Sequence, residues 1–204
     1  MRNIVSEKKA QDTAQITILS NKVDSLRVEL EKAKKKSLMD GLTCVHNRQA
    51  FDEYIKEIVG LNLVTKSPFS ILMLDLDNFG HITGDRVLLS FANKCKDITR
   101  KEDFFARYGG EEFVAVLPGT SLRNGTKKAK QICKSIASSQ YAVEEDQEDN
   151  FLSFTVSIGV SSFNNKDDIK SVIERADKAL YLAKRTGKNR VVTEKDLKKS
   201  MPAV

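Results

Sequence analysis

A few acidic positions and a pair of glycines carry the chemistry this sequence offers. Asp75 and Asp77 close the apolar run 70–77, SILMLDLD, and Glu111 and Glu112 follow directly on Gly109 and Gly110. Side chains two apart on a strand project to one face, so a strand reaching residue 77 aims both aspartates the same way. A strand-end aspartate beside a glutamate at a hairpin tip makes an oxygen-rich pocket, the donor set that suits Mg²⁺. Mg²⁺ held by one or two carboxylates takes its other ligands from water and phosphate, and glycine lets a phosphate approach the backbone. The same residues equally suit a plainer use, capping a strand and decorating a turn, because DxD and GG are each common. Spacing alone leaves both readings open.

The elements that must position these residues follow from periodicity. Phe69 to Asp75, after Pro68, is a near-continuous apolar run, the mark of a buried strand. Helical spacing marks 47–59 through Phe51, Tyr54, Ile55 and Ile58, and 84–98 through Val87, Leu88, Phe91 and Cys95. Strands are predicted at 104–108 and 112–117, joined by a tight hairpin in which both glycines can take positive φ. A helix over 122–137, a strand over 152–163, a helix over 167–184 and a short strand over 189–193 complete the chain. From Phe69 the order is βαββαβ, then a further α and β. This is the ferredoxin-like split βαβ arrangement of the α+β class, an antiparallel sheet with helices on one face.

The first forty residues read differently. Ile16, Leu19, Val23, Leu26, Leu30 and Ala33 follow a 3-4 spacing that keeps one narrow apolar seam on an otherwise polar helix, with no Pro or Gly. A seam of about three heptads wants a second helix of its kind, so the segment is expected to form a dimeric coiled coil. Expected boundaries are 1–37 for this helix, 38–195 for the globular domain and 196–204 for a tail.

Composition excludes several classes. The net charge is +6, but most of the excess lies in residues 1–39, and the rest is nearly neutral with an acidic stretch at 144–149. No basic face interleaved with aromatic residues appears, so nucleic acid is not an expected partner. No apolar run reaches the roughly 18 residues of a membrane span, and 1–12 lacks the apolar core of a signal peptide. The three cysteines, Cys44, Cys95 and Cys133, are scattered. They fit packing roles in a reducing cytoplasm rather than disulfides or a zinc site.

The string Arg107-Tyr108-Gly109-Gly110-Glu111-Glu112-Phe113 resembles the signature of GGDEF domains, the diguanylate cyclases, in its GGEEF variant. Further strings resemble the family in the right order over about residues 38–193. Asp40-Gly41-Leu42-Thr43 with Asn47-Arg48 is similar to its opening motif, with Cys44 and Val45 replacing the usual Gly-Leu. Asp75-Leu76-Asp77-Asn78-Phe79 is similar to its metal-binding strand end, and Gly80-His81 with Gly84-Asp85 to its GHxxGD. Thr155-Val156-Ser157-Ile158-Gly159-Val160 resembles its TxSIGV strand. Ala176-Asp177, Ala179-Leu180-Tyr181 and Ala183-Lys184, followed by Gly187, Lys188 and Asn189, resemble its ADxALYxAK helix and the turn after it.

The resemblance implies a nucleotide-cyclase or polymerase-palm-like core that joins two GTP molecules into cyclic di-GMP and pyrophosphate. Each domain of a homodimer holds one GTP, and the 3′-hydroxyl of each attacks the α-phosphate of the other. A coiled coil would hold the halves together. By the same resemblance Asp75, Glu111 and the carbonyl of Leu76 hold Mg²⁺ or Mn²⁺. Asp75, Glu111 and Glu112 form the catalytic set. Phe79, Asp85, Gly109, Gly110, Lys184 and Lys188 bind substrate. Asp85 would accept from the guanine edge and Lys184 would contact terminal phosphates. Lys188 stands where many members have Arg, keeping the charge without the bidentate fork. Arg100 and Asp103 match the family's RxxD inhibitory site for cyclic di-GMP.

One departure bears on activity. Where the family pattern continues after Phe79 with KxxNDxx, about seven residues are missing, close to two helical turns. Their removal shifts a downstream face by only about 20°, so the fold is expected to survive. The missing Lys and Asn normally meet phosphate and guanine, so weaker GTP binding, relaxed base selectivity or loss of turnover is expected. Two readings stand: a cyclase, slow or otherwise, and a degenerate member that binds nucleotide or cyclic di-GMP as a receptor or scaffold.

Overall fold

The computed structural model describes residues 2–78, 84–142, 151–164 and 167–198, with side chains of the first helix from Gln15 onward except at position 35. The chain divides into two compact units, 1–39 and 40–204. The first unit is helix α1 (Arg2–Ser37). Its apolar seam is exposed within the single chain: Ile16, Leu19, Val23, Leu26 and Leu30 each keep 47–67% of their surface.

The second unit is built on a five-stranded sheet in the order β2-β3-β1-β6-β7. Its strands are β1 (Phe69–Leu76), β2 (Phe104–Gly109), β3 (Glu112–Pro118), β6 (Val156–Ser162) and β7 (Val191–Thr193). Between them run α2 (Arg48–Thr65), α3 (Asp85–Ile98), α4 (Leu122–Ala137), α5 (Ile169–Arg185) and the one-turn α6 (Glu194–Leu197). A two-stranded ribbon pairs β4 (Tyr141–Ala142) with β5 (Phe151–Leu152).

All eight residues of β1 are buried, which requires cover on both faces. The helices are therefore not confined to one face, as the ferredoxin-like analogy suggested. On one side Leu72, Leu74 and Leu76 share a core with Phe91 and Cys95 of α3 and Ile132 and Ile136 of α4. On the other, α5 lies so close to β6 that a Cβ on Gly159 would meet the Ala176 carbonyl oxygen at 2.1 Å. The sheet also departs from a purely antiparallel pattern, because β7 runs parallel to β6. The parallel pair follows from α5, which carries the chain back across the sheet as a βαβ crossover.

Other expectations shift locally. Gly60 does not end α2, which continues to Thr65 and stops at Lys66 in the left-handed region (φ +56). The apolar run 152–163 serves two sheets: Leu152 pairs with Tyr141, and β6 begins only at Val156. Phe154, 3% exposed, lies between them and stacks on Tyr141 at 4.3 Å. Cys95 and Cys133 are buried, as packing residues should be, but Cys44 is exposed. Its φ of +51 explains why the resembling motif has glycine there. Helix α6 runs across the expected boundary at 195. Among the described residues no helix is long and apolar enough to cross a membrane.

Candidate active site

The site forms where β1 ends. Asp75 pairs across the sheet with Glu112 of β3 on one side and Ser157 of β6 on the other. Paired residues share a face, and here it is the face covered by α5. From the last turn of α5, Lys184 Nζ reaches Asp75 Oδ2 at 2.6 Å. The carboxylate is 2% exposed. Burial pushes the Asp75 carboxyl up to about 6 despite the pull of Lys184, and Glu111 and Glu112 add to the rise. An unpaired carboxylate so deep would be costly, so the site holds a negative charge that asks for a cation.

The hairpin tip lies beside it. The turn is Gly110-Glu111, with Gly109 ending β2 opposite Glu112. Only Gly110 takes positive φ (+47), which corrects the expectation that both glycines do. Neither glycine has a heavy atom within 4 Å of where a Cβ would be, so the turn presents open backbone. The Glu111 carbonyl accepts from the Leu76 N–H at 3.4 Å, bringing the turn against the strand end. Arg107 fixes it from behind, its Nε donating to the Gly110 carbonyl at 2.9 Å and its Nη1 reaching Asp40 Oδ1 at 3.3 Å. Arg107 is in the motif string, but nothing in its spacing revealed this bracing role. Glu112 and Lys184 also line a 260 Å³ cavity with Asp177, Lys178, Leu180 and Tyr181.

The remaining expected residues distribute around this centre. Lys188, φ +59, donates its ammonium to Asn78 Oδ1, next to the end of β1. Asp85 is exposed in the first turn of α3. Phe79 and the shortened connection 79–83 lie outside the described residues, while α3 after it still buries Val87, Leu88, Phe91, Ala92 and Cys95. Arg100 and Asp103 form a closed turn before β2: the Arg100 N–H donates to Asp103 Oδ2 at 2.8 Å and the Asp103 N–H to the Arg100 carbonyl at 3.1 Å. β1 stops at Leu76, and Asp77 behind it is bonded to Thr155, Ser157 and Asn189. Thr155, Ser157 and Asn189 lie in strings that resemble the family, but nothing in those strings tied them to Asp77.

No three His, Cys, Asp or Glu side chains among the described residues form a cluster that could hold a metal alone. The donor set nevertheless fits Mg²⁺, which uses one or two carboxylates and fills its shell with phosphate and water. Asp75, Glu111 and the Leu76 carbonyl are hard oxygen donors at one strand end, and the Lys184 ammonium shows that a cation is stable there.

Fold and site together define an α+β domain with a nucleotide-cyclase-like core. The family model described as "Diguanylate cyclase, GGDEF domain" matches residues 37–190, and the chain belongs to this family. It is 32% identical over 200 residues to diguanylate cyclase DgcP of Pseudomonas aeruginosa, covering 91% of this chain and 29% of that protein. The chain spans 29–38% of the length of such curated relatives. Among solved structures, the coiled coil and GGDEF domain of DgcB from Caulobacter crescentus, in complex with c-di-GMP, superposes with a TM-score of 0.79 at 29% identity, covering 88% of this chain and 97% of that one. The active GGEEF domain of a diguanylate cyclase from Vibrio cholerae gives 0.66 at 30% identity, covering 72% and 96%.

Proposed function

We propose that this protein is a diguanylate cyclase that condenses two GTP molecules into cyclic di-GMP and pyrophosphate. The observation that carries the reading is the buried Asp75 at the end of β1, opposite Glu112 and bonded to Lys184. Family relatives named diguanylate cyclases support it. Asp75, Glu111 and the Leu76 carbonyl hold Mg²⁺ or Mn²⁺, which when bound supplies Lewis-acid charge against the phosphates. Lys184 and Lys188 bind the terminal phosphates, the open backbone of Gly109 and Gly110 admits them, and Asp85 accepts from the guanine edge. The 3′-oxygen of one GTP forms a bond to the α-phosphorus of the other, and the bond to the β-phosphate oxygen breaks. Glu112 takes the proton that the hydroxyl loses.

Because each domain holds one GTP, two copies must meet. The exposed seam of α1 supports a coiled coil in a homodimer, and the coiled coil named for the DgcB structure supports a coiled-coil segment here. Pairing raises the effective concentration of one half beside the other. Arg100 and Asp103 bind cyclic di-GMP as a feedback inhibitor, with GTP supply placing the activity in the cytoplasm. The shortened connection after Phe79 slows turnover and relaxes base selectivity. The test is turnover of GTP with Mg²⁺, assaying cyclic di-GMP and pyrophosphate, beside Glu111→Ala and with ATP as competitor. Product from the wild type and none from Glu111→Ala is expected. No product at high GTP from an inhibitor-free dimer sinks the cyclase reading.

A further inference from the structure

Asp77 is nearly as buried as Asp75, at 3% exposure, and the cyclase reading gives it no task. Its carboxylate is fully engaged by neutral donors. Ser157 Oγ donates to Oδ1 at 2.6 Å; Thr155 Oγ1 and the Asn189 N–H donate to Oδ2 at 2.6 and 2.9 Å. The bonds to Thr155 and Ser157 fasten the end of β1 to β6, beside the Asp77 N–H that donates to the Thr155 carbonyl at 2.8 Å. The bond to Asn189 reaches the turn just before β7, one residue ahead of the Arg190 carbonyl that accepts the Ile158 N–H at 2.9 Å, while Cys133 Sγ donates to Asn189 Oδ1 at 3.4 Å.

That residue ends a turn with unusual backbone. Gly187, Lys188 and Asn189 have φ of +124, +59 and +46, three consecutive residues in a region that L side chains seldom visit. Such conformations persist when their surroundings over-determine them, and they cluster at ligand clamps. Here the Lys188 N–H donates to the Ala183 carbonyl at 3.0 Å, closing α5 from one side. Asp77 grips the next amide from the other. Between these two anchors the Lys188 ammonium meets Asn78, itself at φ +62.

We propose that Asp77 is a positioning residue that holds the 187–189 turn, so that the Lys188 ammonium stands beside the end of β1 where nucleotide phosphates arrive. The inference rests on the reading of Lys188 as a phosphate contact. A lysine on a flexible four-carbon stem gives a point charge without a fixed fork. Anchoring the backbone beneath it restricts where that charge can go before substrate binds.

The test is equilibrium titration of the full chain with GTP and Mg²⁺ for wild type, Asp77→Ala, Asp77→Asn, Lys188→Ala and the double variant Asp77→Ala/Lys188→Ala. Asp77→Ala is expected to weaken affinity about tenfold, through loss of a buried acceptor. Asp77→Asn keeps an acceptor for the Asn189 N–H and is expected to stay within about twofold. In the Lys188→Ala background, Asp77→Ala is expected to have no further effect. Equal losses in both backgrounds overturn the proposal, as does a Lys188→Ala chain that binds GTP like the wild type. Should Asp77→Ala fail to fold, amide hydrogen exchange on the wild type decides. The Asn189 amide is protected if anchored, though its residue is exposed, and exchange at the rate of a free loop amide overturns the anchor. Titration reads binding rather than turnover. A chain that makes no cyclic di-GMP yet shows this pattern loses the cyclase reading and keeps the anchor.

Discussion

Helices α1 and α5 both carry apolar residues along one side, yet the two are used in opposite ways. α5 turns Val172, Ala176, Ala179, Leu180 and Ala183 onto the sheet, Ala179 and Ala183 against Val192 of β7, and all but Leu180 are wholly buried. Three of the five are alanines, and β6 answers with Gly159, so the helix backbone comes against the sheet. α1 instead presents Ile, Leu and Val, exposed by about half or more. Small residues permit close approach within a chain, whereas large residues spaced by three and four suit a matching helix from another chain. The difference teaches that an apolar stripe defines a face but not its occupant; residue size on both sides decides how near the occupant comes.

The comparison can be broken at Gly159. Gly159→Val would drive side-chain atoms into the Ala176 carbonyl and the Leu180 amide. It is expected to cost about 3 kcal/mol or more, read as a lower urea midpoint, and to displace Lys184 with α5. Lys184→Ala leaves the helix packed and removes only the cation at Asp75. Turnover is expected to fall about a hundredfold, by loss of preorganised charge at the phosphates, and the urea midpoint to fall as well, because Asp75 is left buried without its cation. An unchanged rate would separate the packing role of α5 from any part in chemistry.

On α1 the opposite dissociation is expected. Leu26→Asp should convert a dimer to monomer in sedimentation and lower turnover about tenfold at micromolar protein, through lost effective concentration. The melting of the 40–204 unit should stay put. A variant that remains dimeric removes the seam from the account. The smallest effect is expected at the start of α5. There the Asp168 carboxylate accepts the Ser171 N–H at 2.7 Å, and that bond holds its carboxyl below the ordinary value. A lowered carboxyl stabilises the fold above its unfolded pKa and stops doing so as pH falls through the folded one. Asp168→Ala should therefore lower Tm by a few degrees at pH 7, and the gap to wild type should close below about pH 4.

How much of this was legible in the sequence follows the range of the interactions. β1, the hairpin and α4 were readable because their signals are local: a buried apolar run, adjacent glycines, a helical stripe. The run 152–163 was misread as one strand because periodicity cannot say that Leu152 and Val156 belong to different sheets. The count of helix layers was open to a stricter reading, since the unbroken apolar run Ile71 to Leu74 already asks for two covered faces. At the site, Asp75 and Glu112 were visible as a strand end and a hairpin tip. The hold on Asp77 was not, because neutral side chains and a backbone amide up to 112 positions away leave no composition signal.

The separation between the two halves of the site has a consequence for how the protein is made. Synthesis delivers Asp75, Glu111 and Glu112 while Lys184 and the 187–189 turn are still more than 70 residues from being added. The parallel pairing of β7 with β6 must wait as well, because its partner is separated from it by the whole of α5. A nascent domain thus gathers carboxylates before the cations that balance them. Long-range closures of this kind are slow and come late. A chain released a few dozen residues early would carry the signature motif without Lys184 or the 187–189 turn.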